Sequence, residues 1–280
     1  MMARLARPGA SFPSDGRRLA THLASVVTIL LLAAAATAPG AAGASNPRLL
    51  PDLVTMKVTQ SDLLLNGKKL RLSNEIGNRG RGPLELYPSA ASNNCDGDGN
   101  PGNDRDVYQR IFLDSNADGV FQRGQDTASQ SRRFGCEQYH PAHHHWHVLD
   151  FSRYKLVREK TGRTVAKSTK IGFCIIDTDH AFGGLPGSPS GVHYPAGSGD
   201  CSADSIDGLS VGWADTYYYG LPGQEVSVAG LREGRYCLVS KADPNNLLRE
   251  SSNSNNARFT LIALHPAKHV VKQLSGRCVN

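Results

Sequence analysis

No stretch of this chain longer than ten residues keeps the 3.6-residue apolar period of an amphipathic helix, and that absence constrains the fold more than any motif does. What recurs instead are short runs that alternate in polarity or are rich in β-branched and aromatic residues. They are VYQRIFL at 107–113, VLDFSRYKLV at 148–157, TKIGFCII at 169–176, GRYCLVS at 234–240 and ARFTLIAL at 257–264. Side chains of this kind suit a pleated, half-buried surface. In DLLLNGKKLRLS, Asn66 and Gly67 stand between two apolar-rich arms, and both tolerate positive φ, which predicts a hairpin turning at that pair. Long Gly/Ser/Pro/Asn tracts such as 182–200 separate the runs. The expected fold is all-β, a β-sandwich with long irregular loops and little helix, with no internal repeat or linker.

The N-terminal stretch reads as an address. Arg4, Arg7, Arg17 and Arg18 precede an apolar run at 26–38, too short for a bilayer span of about 20 residues, and Ala42-Gly43-Ala44 has the small-x-small pattern of a signal-peptidase site. Pro39, Gly40 and Gly43 oppose retention as a membrane helix. We therefore expect a signal peptide at 1–44, a domain at 45–280, secretion, and no stable membrane association afterwards. Residues 1–44 hold four of the 31 basic and one of the 25 acidic residues, leaving 27 against 24 in the remaining 236. So small and scattered an excess argues against a nucleic-acid partner. All six cysteines, 95, 136, 174, 201, 237 and 278, lie in that remainder without a Cys-x-x-Cys pair, which excludes zinc-ribbon chemistry and implies three disulfides, expected in sequential order.

His140, His143, His144, His145 and His147 crowd half of the ten histidines into eight positions. If they begin a strand, His143, His145 and His147 share one face while His144 and Trp146 point away. Three neutral imidazoles on one face can hold one metal, provided that twist or a bulge brings them to metal–nitrogen distances of about 2.0–2.1 Å. An exposed polar strand is the bland alternative, and it accounts poorly for so dense a pattern. Zinc and copper both suit imidazoles, and the affinity order favours copper without deciding. A His-Glu-x-x-His segment is missing, and so is a glutamate beside the ligands, which makes hydrolysis secondary.

Further segments follow in order: KIGFC, with Lys170 three residues before Phe173; ADTYYYG, with Asp215-Thr216-Tyr217; Gln224; Gly234-Arg235-Tyr236; then ESSNSNN and SGRC. Together with the histidines, the stretch from about Cys136 to Cys278 resembles the catalytic domain of lysyl oxidases, copper-dependent amine oxidases that carry a lysine tyrosylquinone. The resemblance implies that His143, His145 and His147 are the copper ligands, with His140 nearby, and that Lys170 and Tyr217 form the quinone. Tyr218 and Tyr219 offer the same chemistry, and only the motif chooses Tyr217. It further implies oxidation of a primary amine or peptidyl lysine to an aldehyde by molecular oxygen, with release of hydrogen peroxide and ammonia. Asp150, just past the histidines, is open to a role as base or support. The animal pattern has cysteines where this chain has Ala142 and Trp213, so its disulfides must differ.

Calcium is suggested twice. Asp114, Asn116, Asp118 and Gly119 match the opening of a calcium loop, although Gln125 stands where a bidentate Glu belongs; an Asx-rich turn is the equal alternative. The resemblance also points to Asp52, Leu53, Glu250, Asn255 and Asn256, with Ser252 in place of an expected Asp. Besides a secreted quinone-copper amine oxidase, two classes stay open: a catalytically silent metal-binding or structural sandwich, and a non-quinone mononuclear metalloenzyme.

Overall fold

The computed structural model describes residues 47–141, 143–169, 172–197 and 201–278. Helix among them is limited to two 3₁₀ turns, Gln60–Asp62 and Pro266–Lys268, as the missing 3.6-residue period requires. The largest sheet runs through Gly172–Phe173, His145–Leu149, Ser129–His140, Asp104–Leu113, Leu84–Ser92 and Asp207–Leu209, with Arg48–Leu49 beside Asp104–Leu113. A second sheet orders Thr164–Lys167, Ser152–Arg158, Gly234–Ala242, Ala257–His265 and Val270–Gln273. Two small ones consist of Ala214–Tyr217, Asn74–Asn78, Leu53–Thr55, and of Glu225–Ser227, Lys69–Leu72, Leu63–Asn66. Every pairing between these strands is antiparallel.

Alternation decides which faces meet. On the second sheet, Tyr154 and Leu156, with Tyr236 and Leu238 of the neighbouring strand, enter the main core, whereas Val157, Cys237, Val239 and Leu261 form a cluster on the other face. A one-residue slip would exchange the two sets, so burial specifies this register strongly. The main core also takes Leu53 and Tyr217, Leu65 and Leu70, and Leu84 and Val148, which means that all four sheets close on one interior. Fully buried leucines such as Leu70 and Leu84 each contribute ~1.5–3 kcal/mol. The all-β expectation holds.

Three local expectations change. The hairpin turns at Gly67 and Lys68, because Asn66 pairs with Lys69 inside the ladder; Gly67 alone takes the positive φ, 56°, at the first central position. VLDFSRYKLV is broken between two sheets, since Asp150 adopts φ 59° and turns the chain before Ser152, a conformation that aspartate tolerates better than its apolar neighbours. Among the described residues of TKIGFCII the ladder covers Gly172–Phe173; Lys170 and Ile171 lie outside them. The disulfides are sequential as expected: Cys95–Cys136, Cys174–Cys201 and Cys237–Cys278. Residues 1–44 also lie outside the described residues, among which no helix is long and apolar enough to cross a membrane.

Candidate functional site

The histidines converge through a hairpin rather than along one strand. Strand Ser129–His140 ends where the amides of His143 and His144 both donate to the His140 carbonyl, at 3.0 and 2.9 Å, and His144 takes φ 58°. The chain then enters His145–Leu149 with His145 opposite His140, Trp146 opposite Tyr139 and His147 opposite Gln138. His143 thus belongs to the turn, which corrects the single-strand expectation. The hairpin does what twist would have had to do, folding His143 back over the strand. As expected, His144 is exposed and Trp146 packs on the far face against Tyr139 and Arg105.

His147 is the centre of the group and is buried. Its Nε2 lies 2.8 Å from His145 Nε2 and 3.4 Å from His143 Nδ1. Two nitrogens bound to one metal at 2.0–2.1 Å, at angles between square and tetrahedral, stand about 2.8–3.4 Å apart, and both distances from His147 match that span for copper or zinc. His140 stacks on His143 at 4.1 Å between ring centroids, and its Nδ1 is buried without a hydrogen-bond partner. The ring nitrogens of His140, His143 and His147 fall within 4.8 Å of one another, so His140 is itself a possible ligand as well as a neighbour.

The tyrosine reaches this group by two routes. Gly172 pairs with Leu149, and a Cβ there would come within 2.8 Å of His147 Cβ; glycine lets its strand close against the histidines. Phe173, next in line, meets the Tyr217 ring edge to face at 5.0 Å. Tyr217 ends the strand Ala214–Tyr217 and donates its hydroxyl to the Cys174 carbonyl. Cys174 is bridged to Cys201, whose carbonyl accepts the Trp146 amide at 2.8 Å, so one disulfide links the tyrosine's contact to the histidine strand. Burial, and then the charge of Asp215, push the Tyr217 phenol well above its usual range and keep it protonated.

A cavity of about 450 Å³ is lined by His143, His145 and His147, by Asp215 and Tyr217, and by apolar Ile176 and Leu221, among others. A smaller one, about 280 Å³, lies against His140, His143, His147, Thr169 and Gly172. Among three adjacent tyrosines Tyr217 is the one that lines the larger cavity; Tyr218 is 54% exposed and Tyr219 lines neither. Asp150 lines neither cavity and pairs with Arg153 at 2.8 Å. The sequence reading passed over Asp215, although its place two residues before Tyr217 put both on one strand face.

The two calcium candidates differ. At 52–53 and 250–256, Glu250 accepts from the Leu53 amide at 2.8 Å and from Asn256 Nδ2 at 2.6 Å, while Asn255 Nδ2 donates to Asp52 at 2.9 Å. The five predicted residues come together, and the buried Oδ1 atoms of Asn255 and Asn256 are left without donors, a set of oxygens that suits a hard cation. Burial raises Glu250 to about 7. At 114–118, Asp114 takes the amides of Asp118 and Gly119, and Asp118 takes those of Val120 and the Asn116 and Gln122 side chains. That loop has the hydrogen bonding of a turn.

Histidines crowded beside a buried tyrosine, in a disulfide-tied β-sandwich, are the residue types that metal and phenol chemistry would use. A sequence model of the lysyl oxidase family matches residues 89–273, and the chain belongs to that family. Over 120 residues it is 33% identical to the protein-lysine 6-oxidase of Sus scrofa, covering 42% of this chain and 43% of the relative. It is 31% identical to lysyl oxidase homolog 1 of Homo sapiens over 120 residues (42% and 19%), and 26% identical to lysyl oxidase homolog 2A of Danio rerio over 204 (72% and 25%). The chain thus spans less than half the length of these relatives.

Proposed function

We propose that this chain is a secreted copper- and quinone-dependent amine oxidase, with His143, His145 and His147 holding copper and Lys170 with Tyr217 supplying the quinone. The observation that carries this reading is one cavity lined by all three imidazoles and by Tyr217. Copper would supply one-electron and oxygen chemistry, and a lysine tyrosylquinone a carbonyl able to accept a primary amine, with aldehyde, hydrogen peroxide and ammonia as products. The chain's own residues prepare that chemistry. His147, packed between its neighbours, fixes where the imidazole nitrogens meet. The Cys174 carbonyl orients the Tyr217 hydroxyl, and burial keeps it from ionising early. Ile176, Leu221 and Pro222 offer an apolar wall to the methylenes of an amine-bearing side chain, and the Asp215 carboxylate in the same cavity attracts its ammonium. The protein-lysine 6-oxidase relatives favour peptidyl lysine as the substrate, with molecular oxygen as acceptor. Export rests on the 1–44 pattern, and calcium at Asp52, Leu53, Glu250, Asn255 and Asn256 on the orphaned amide oxygens there.

Lys170→Arg and Tyr217→Phe should each abolish amine-dependent peroxide release while copper stays bound, because an arginine supplies no neutral amine and a phenylalanine no hydroxyl. Copper-loaded wild type should give a coloured hydrazine adduct that neither variant forms, and Tyr218→Phe should keep full activity. A wild type that is colourless, unreactive to hydrazines and silent with primary amines would put the metal-binding sandwich in place of the oxidase.

A further inference from the structure

Residues 96–104 read DGDGNPGND, with side-chain oxygens at alternate positions, Asp96, Asp98, Asn100 and, four further on, Asp104. Gly97 and Gly99 take φ 79° and 86°, and the chain curls through successive turns in which Asp96 Oδ1 accepts the Asp98 amide at 3.0 Å, Asp98 Oδ1 the Asn100 amide at 2.7 Å and Asn100 Oδ1 the Gly102 amide at 3.3 Å. Asp104 is the decisive residue. It is fully buried at 0% exposure, and its carboxylate faces the loop, since Oδ2 accepts the Asp96 amide at 3.0 Å. Its Oδ1 is buried with no donor in reach. Beside it, Asn103 commits Nδ2 to Asp98 Oδ2 at 3.1 Å and leaves its own Oδ1 buried and without a donor. Among the described residues no Lys, Arg or His forms a salt bridge with Asp96, Asp98 or Asp104. Burying the Asp104 carboxylate with one oxygen unpaired, beside the orphaned Asn103 Oδ1, is unfavourable unless something positive joins them.

We propose that this loop binds a calcium ion through Asp96, Asp98, Asn100, Asn103 and Asp104. The donors are all oxygen and hard, carboxylates and amide carbonyls together, which is the chemistry calcium takes; magnesium would demand a stricter octahedron and keep more water. The loop is stapled by Cys95–Cys136, and Asp96 Oδ2 accepts Gln138 Nε2 at 2.6 Å. Gln138 stands opposite His147, so the ion fastens the root of the histidine hairpin.

The test is calcium binding by the full-length protein after chelation, measured by calorimetry and equilibrium dialysis. Asp98 sits on the exposed rim, so Asp98→Asn preserves the fold and is the decisive variant; Asp104→Asn is the buried counterpart. Glu250→Gln addresses the other calcium candidate. We expect Asp98→Asn to weaken one ion by about tenfold or more, Glu250→Gln to weaken a different one, and the double variant to lose both. An Asp98→Asn isotherm that superimposes on wild type, or a wild type whose every calcium ion is lost with Glu250→Gln, overturns the proposal. Neither result bears on the oxidase reading, which stands or falls on the hydrazine adduct.

Discussion

The loop at 114–126 and the histidine hairpin at 140–147 are both dense in ligand-type side chains, and both stand out in the sequence as metal candidates, yet they are satisfied in opposite ways. In the loop each carboxylate meets donors: Asp114 takes two backbone amides, and Asp126 takes those of Ser115 and Gln122 at 2.9 and 2.7 Å. In the hairpin, ring nitrogen faces ring nitrogen, and a proton can bridge one such pair at a time. The first arrangement rests on amides that the loop's own backbone presents; the second rests on imidazoles turned towards one another. Spacing of ligand types does not separate the two, whereas the kind of neighbour each side chain meets does.

The largest expected effect tests the hairpin. His145→Ala should take bound copper from about one ion per chain to near zero without unfolding the sandwich; copper retained at full stoichiometry would remove His145 from the ligand set and leave His140, His143 and His147 as the donors. Next comes the loop. Asp114→Ala removes the acceptor of two backbone amides and should cost about 1–3 kcal/mol in urea unfolding, equally with and without calcium. A cost that appears only with calcium present would erase the contrast.

A third effect concerns Glu137 and Asp207. Both are buried, and burial raises them to about 8 and about 7, with each Glu137 influence beyond burial led by the Asp207 charge. Folded values above the unfolded ones mean that the native state holds these protons more tightly. Their contribution to stability is therefore whole below about pH 4 and is lost as pH rises towards 7–8. The melting temperature should fall across that window, and Glu137→Gln should flatten the fall; an unchanged profile in the variant would exclude Glu137 as its source. The smallest effect belongs to the loop's exposed rim, where Asp118→Asn keeps an acceptor for Val120 and should change stability by about 0.5 kcal/mol or less.

Much of the site was legible because strands alternate. The His-x-His-x-His spacing gave His145 and His147 one face, and the exposed His144 and outward Trp146 follow from the same rule. His143 escaped it, because a backbone that turns at His144 no longer alternates. Asp215 was readable on the Asp-Thr-Tyr strand and was passed over, while Asp150 drew attention by nearness in sequence and turned out to bond Arg153. Tyr217, Tyr218 and Tyr219 are identical to any sequence argument short of a family motif, and burial distinguishes them.

The sequence alone determined an all-β chain, because its apolar residues repeat at two and never for long at 3.6, and it determined a crowded imidazole cluster, because histidines so close together cannot all be dispersed by any strand or turn. Only the tertiary structure decided which side chains share a cavity, since Tyr217 lies seventy residues beyond His147 and reaches it through a sheet pairing, a buried phenylalanine and a disulfide. It alone also decided which acidic loops close on their own amides and which leave oxygens over, because a hydrogen bond depends on where a donor ends up and not on how far along the chain it began.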